Sequence, residues 1–183
     1  AVPEWETVLM TVGFTGMAVG LAVGLPLYLR ERWPGAFLGR VGDGGVAASG
    51  KVTAAMVVTA GLAVLWSQWA LGGTVGLDPE RRGLWDVDGR LLHAGSGMWA
   101  LLGVWSAWVL TRGRPARVPR WVPMAVLFTA SGSLFAWSAW KLPMALLHPG
   151  GYVTAEFTLV AVVQHALAVG AGVTFMAGVV RRV

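Results

Sequence analysis

Residues 156–180 read EFTLVAVVQHALAVGAGVTFMAGVV, and the reading of this stretch decides the fold. Only Glu156 and His165 in it are ionisable. As a helix it is long enough to cross a hydrocarbon core of about 30 Å, which takes roughly 20 apolar residues. Four further stretches read the same way, so spans are expected near 7–29, 52–73, 91–111, 122–142 and 156–180. The sequence predicts an all-α integral membrane protein, a single transmembrane domain over residues 1–183 with five helices.

Composition points the same way. Of 183 residues 56% are hydrophobic and 13% charged, against about a quarter charged in a soluble domain. The net charge of +5 sits in short segments between apolar runs and builds no basic face, which excludes nucleic-acid binding. Cysteine is absent, so disulfides, thiolate metal sites and thiol nucleophiles are excluded.

The connections set the expected orientation, because Lys and Arg collect on the cytoplasmic side. Arg30, Arg32, Arg40 and Lys51 follow the first span, Arg112, Arg114, Arg117 and Arg120 follow the third, and Arg181 and Arg182 end the chain. Glu4, Glu6, Asp78, Glu80, Asp86, Asp88 and Glu156 fall on the other side, with Arg81, Arg82 and Arg90. The expected protein is a multi-pass protein of the cell (inner or plasma) membrane, with its N-terminus outside and its C-terminus cytoplasmic. Acidic Glu4 and Glu6 stand where a signal peptide needs a basic segment, so the first span is read as a span. A chain beginning at Ala1 rather than Met is expected to be processed or trimmed.

Between the first two spans, Gly39, Gly42, Gly44, Gly45 and Gly50 lack the Lys-Ser/Thr of a phosphate loop and read as a flexible cytoplasmic linker. Asp78-Pro79-Glu80 reads as the cap of a short interfacial helix.

A shift of 71 residues lays Leu65-Trp66-Ser67-Gln68-Trp69 on Ala136-Trp137-Ser138-Ala139-Trp140, and Gly61 on Gly132. One residue further, Leu92-His93-Ala94 falls on Gln164-His165-Ala166. Spans two and three are thus expected to be a helical hairpin duplicated as spans four and five, related by an axis along the membrane normal. The first span is then an added N-terminal helix. Its Gly16, Gly20 and Gly24 permit close helix contact, and Pro26 is placed to kink it.

Ionisable groups inside a membrane are functional candidates by default. His93 and His165 fall at comparable depth, His93 on a face with Gly97, Ala100 and Val104, and His165 on one with Ala161, Ala168 and Gly172. Two imidazoles facing each other from strips of small residues are what a bis-histidine haem b needs in a helical bundle, with iron held by His93 and His165. Arg81, Arg82 and Arg90 would meet its propionates. The plainer alternative is that the strips serve helix packing and that each histidine bonds a neighbouring helix.

Among eleven tryptophans, Trp5, Trp33, Trp85 and Trp121 fit an interfacial belt. Trp66 and Trp69 pair at i,i+3, as do Trp137 and Trp140 at the repeat-equivalent places, and these four could wall a cavity for a quinone or isoprenoid. An aromatic belt is again the plainer account. Trp99, Trp105 and Trp108 face lipid or a partner subunit. Lys141 snorkels at a helix end or pairs with Glu156, and Glu156 opens the fifth span on one face with Gln164. His148 is expected in solvent.

Trp69-Ala70-Leu71-Gly72-Gly73, closing an apolar helix, resembles an uncharacterised family of bacterial four-helix membrane proteins, in which a His stands where this chain has Trp66. Glu156-Phe157 followed by His165-Ala166-Leu167-Ala168-Val169-Gly170-Ala171-Gly172 resembles a helix of the third subunit of cytochrome oxidases, which has a second His where Ala168 stands. No function is carried over from either. The leading expectation is a membrane subunit holding haem b or a quinone between helices, working beside other membrane subunits or as a homo-oligomer. The alternatives are a membrane enzyme acting on an isoprenoid or sterol-like lipid with Glu156 as proton donor, and a small transporter or scaffold.

Overall fold

The computed structural model describes residues 4–32, 34, 38–43 and 49–180. Trp33, Gly44, Gly45, Arg181 and Arg182 lie outside the described residues, as do the side chains of Glu4, Glu6 and Pro26. Among the described residues five long helices follow one another: α1 (Glu4–Arg32), α2 (Gly50–Ala70), α3 (Val87–Arg112), α4 (Trp121–Leu147) and α5 (Thr158–Val180). Single 3-10 turns occur at Val41–Asp43, Arg82–Leu84 and Pro149–Gly151. No strand occurs among the described residues. Gly50–Ala70, Trp121–Leu147 and residues 158–178 of α5 are long and apolar enough to cross a membrane.

Helices α2 to α5 form a closed ring. Each packs on its neighbour in the chain, and α2 packs on α5, leaving α3 and α5 at opposite corners. Exchanging α2 with α4 and α3 with α5 returns the same ring. The core runs down its centre through Leu62, Ala63, Trp66, Ala100, Leu134, Ala168 and Phe175. Small residues let the backbones approach. A Cβ on Gly172 would lie 2.9 Å from both Phe135 N and Ser131 O, and one on Gly97 would lie 3.0 Å from Ser67 Oγ.

Helix α1 stands apart from this ring. Nothing lies within 4 Å of where a Cβ would sit on Gly16, Gly20 or Gly24, and Trp5, Val8, Leu9, Val12 and Met17 are exposed. Among its described side chains, Leu29 near the C-terminal end packs against the core.

Local chemistry accounts for the helix boundaries. Asp86 starts α3 by accepting a hydrogen bond from Gly89 N at 2.9 Å, and Gly113, at φ 66, ends it. Gly72, at φ 90, turns the chain out of α2 at Ala70, three residues before the expected end. Helix α4 continues through Pro143 to Leu147, so Lys141 lies within the helix and does not end it. Asp78 caps no helix. Its Oδ1 accepts from Glu80 N at 3.0 Å in a side-chain-closed turn, and its Oδ2 lies 3.4 Å from Arg81 Nε.

Loop pairings close both ends of the ring. At the arginine-rich end Val41 N donates to Val118 O at 2.9 Å and Arg120 N to Gly39 O at 3.0 Å, and Val41 is buried. A Cβ on Gly42 would sit 2.6 Å from that of Ala116. Residues 39–43 are thus fastened to the α3–α4 connection, which corrects the expectation of a free linker there. At the other end Asp78 N donates to Ala155 O at 2.9 Å and Phe157 N to Gly76 O at 3.1 Å, joining the two hairpin loops. This pairing holds residues 155–157 extended, so α5 begins at Thr158 and Glu156 precedes it.

Gly172→Val is expected to destabilise the bundle by about 1–3 kcal/mol through overpacking. Gly170→Ala, where nothing lies within 4 Å, should leave stability unchanged. Thermal unfolding in detergent reads both, and equal midpoints for the two variants would contradict the close approach of α4 and α5.

Candidate functional site

Of the buried polar side chains, Ser138, Glu156, Gln164 and His165 lie toward the end that carries the two hairpin loops, whereas Thr59, Ser106 and Ser131 lie at mid-depth or toward the arginine-rich end. His93 and His165 each lie about two turns into their helices, α3 and α5, which keeps them at comparable depth. They stand on opposite corners of the ring and within charge–charge range of one another.

Each imidazole is anchored through Nδ1. His93 Nδ1 lies 2.8 Å from Gly89 O, one turn back on its own helix. A carbonyl only accepts, so Nδ1 carries the proton and Nε2 of the neutral ring presents a lone pair. His165 Nδ1 lies 3.2 Å from Ser138 Oγ, a bond from α5 to α4. Neither Nε2 meets a polar partner among the described residues.

Beside them runs a buried string from α2 to the segment before α5. Trp66 Nε1 donates to Gln164 Oε1 at 2.8 Å, and Gln164 Nε2 donates to Glu156 Oε1 at 3.3 Å. Trp66 is 3% exposed, Gln164 2% and Glu156 6%, so each bond replaces water that cannot reach them. Glu156 and Gln164 do meet, but Glu156 is held by the loop pairing before α5 and does not open the helix on a shared face, which corrects that expectation.

The four repeat-matched tryptophans divide into two environments. Trp66 and Trp69 are buried on α2, whereas Trp137 is half-buried and Trp140 is 50% exposed on α4. Trp69 donates through Nε1 to Val75 O at 2.7 Å and packs edge-on to Trp85 and His93, with ring centroids 5.6 and 5.3 Å away. Trp85 lies 4.5 Å from His93 by centroid and donates to Trp69 O at 3.4 Å. Trp85 therefore walls His93, a role its place before the Asp86 cap does not signal in the sequence. Trp5, Trp105, Trp108 and Trp121 are exposed, as is His148.

Lys141 does not pair with Glu156. Its ammonium donates to Tyr152 OH and lies 5.1 Å from the ring centroids of Trp137 and Trp140. The small residues beside the histidines are taken up by helix contact, Gly97 against Ser67 and Gly172 against Ser131 and Phe135. Among the described residues no group of three or more His, Asp or Glu side chains is placed to hold a metal ion. A small cleft lined by Val52, Ala107, Leu110, Met124 and Phe175 lies at the arginine-rich end, away from the histidines.

Compared with protein-family models, curated proteins and solved structures, the chain matches none of them. The chemistry of the site rests on the residues themselves.

Trp66→Phe removes the indole donor and leaves Gln164 Oε1 without its partner in the core. The expected cost is about 1 kcal/mol, read as a lower unfolding midpoint. A Gln164→Leu background should abolish the effect if this bond carries it.

Proposed function

We propose that the chain is a five-span membrane subunit that binds a flat redox ring, haem b or a quinone, between α3 and α5 at the hairpin-loop end. In this reading α1 and α3 join the three apolar helices as spans. The arginine-rich end is cytoplasmic and the hairpin loops face outside, because the basic connections lie together at one end. The duplicated hairpin accounts for two histidines on opposite corners.

The observation that carries the reading is the pair of imidazoles at one depth, each anchored by Nδ1 and with no partner at Nε2 among the described residues. Haem-ligating histidines use that arrangement, since a bond at Nδ1 holds the ring plane while Nε2 meets the iron, and for His93 the Gly89 carbonyl also fixes the tautomer. Of the two rings, a quinone asks less of the packing. Trp66, Gln164 and Ser138 are buried in this part of the ring, so a macrocycle requires α3 and α5 to separate, whereas a single six-membered ring requires less. Such a ring would carry electrons. The chain's part is to hold it, with His93 and His165 as ligands or hydrogen-bond partners, Trp66 and Trp69 as an aromatic wall, and Trp137 and Trp140 nearer the surface. The exposed faces of α1 and of Trp105 and Trp108 on α3 suit lipid or a larger redox or assembly partner.

Detergent-purified protein is expected to show a Soret band that both His93→Ala and His165→Ala remove, or, if colourless, to yield a quinone on lipid extraction. A folded, colourless preparation whose extract holds no quinone would overturn the proposal.

A second reading is favoured by the burial of Glu156, a carboxyl bonded to Gln164 in a water-poor site. There it donates a proton to an isoprenoid or sterol-like lipid, and the tryptophans stabilise the cation that forms. Glu156→Gln keeps the shape and removes the acid. A drop in lipid turnover of about 100-fold or more is then expected, and unchanged turnover would sink this reading.

A further inference from the structure

Lys141 and Tyr152 play no part in either reading, and with Trp137 and Trp140 they form a cluster with a chemistry of its own. The Lys141 ammonium is half-buried within α4 and forms no ion pair with a carboxylate among the described residues. One of its three N–H bonds is used on Tyr152 OH, and the rings of Trp137, Trp140 and Tyr152 lie 5.1, 5.1 and 5.2 Å from the nitrogen. Cation–π contact makes such a position tolerable for a cation without neutralising it. Tyr152 accepts from Lys141, which leaves its own O–H free to donate. The indole N–H groups of Trp137 and Trp140 meet no acceptor among the described residues, unlike those of Trp66, Trp69 and Trp85.

The cluster thus brings together ammonium, phenol and indole donors with no anionic acceptor. Trp140 is 50% exposed, so the cluster is open on its outer side. Lys141 stands between one and two turns from the end of α4, about 9 Å along the axis, where headgroups meet a spanning helix. Charge-assisted bonds to phosphate oxygens are the strong way to satisfy such donors.

We propose that Lys141, Tyr152, Trp137 and Trp140 form a binding site for a phosphate oxyanion, presented by the headgroup of an anionic phospholipid. The site does not require a bound redox ring. Lys141 lies within charge–charge range of both His93 and His165, so a bound anion would screen its positive charge from the histidines.

Native mass spectrometry of the full chain in detergent, titrated with dioleoyl phosphatidylglycerol, phosphatidylcholine or inorganic phosphate, tests this. Wild type is expected to retain one phosphatidylglycerol in preference to phosphatidylcholine. Lys141→Gln should lower that retention about tenfold, and Lys141→Arg should keep it. Trp137→Phe with Trp140→Phe preserves charge and bulk while removing two donors, and should weaken retention even if the lysine variants fold poorly. Displacement of the lipid by millimolar inorganic phosphate, in wild type alone, would support the oxyanion site and assign the free anion as its ligand. Equal retention of both lipids, or retention undiminished in both Lys141→Gln and the double tryptophan variant, would overturn the proposal.

Discussion

The closure of this bundle turns on the need to satisfy a buried amide, which the indole of Trp66 meets by donating to the side-chain carbonyl of Gln164 alongside the apolar core and the pairing of the hairpin loops. Chain order alone places α2 beside α3, α3 beside α4 and α4 beside α5, because short connections favour antiparallel neighbours. Nothing in that order brings α2 against α5. In an apolar surrounding an unpaired amide is costly, and Gln164 sits in the core with one face toward Trp66 and the other toward Glu156. The two bonds satisfy both ends of the amide together, and the ring of helices closes around them.

The connections obey the same demand. Backbone groups of irregular segments must find partners wherever water is scarce. Leu77 with Glu156 at one end and Arg40 with Pro119 at the other pair loops that are distant in sequence. The first pairing fixes the level of Glu156 and the second gathers the arginines. A functional side chain in this protein is therefore placed partly by a loop pairing, so the depth of Glu156 cannot be read from helix periodicity.

The helices were legible because their signal is length and apolarity, which side-chain detail does not alter. The like depths of the histidines were legible too, since helical geometry converts spacing into position. What the sequence concealed depends on contacts between elements. The repeat match treats Trp69 and Trp140 as equivalents, yet one is enclosed by Trp85 and His93 and the other is open to the surroundings. Trp85, Ser138 and Tyr152 acquire their roles from neighbours far along the chain or across a turn. Glycines in the first connection signal freedom, and Gly42 instead permits contact with Ala116.

Trp66 and Gln164 are 98 residues apart, and that separation bears on how the chain is made. A ribosome adding about 5–20 residues per second delivers α5 some 5–20 seconds after the Trp66 turn of α2. Over that interval the indole donor has no native acceptor and the α5-facing side of α2 is bare. Insertion machinery or surrounding lipid must shelter that face until the last helix arrives, so a chain truncated before α5 would present an unfinished surface to the cell's quality control.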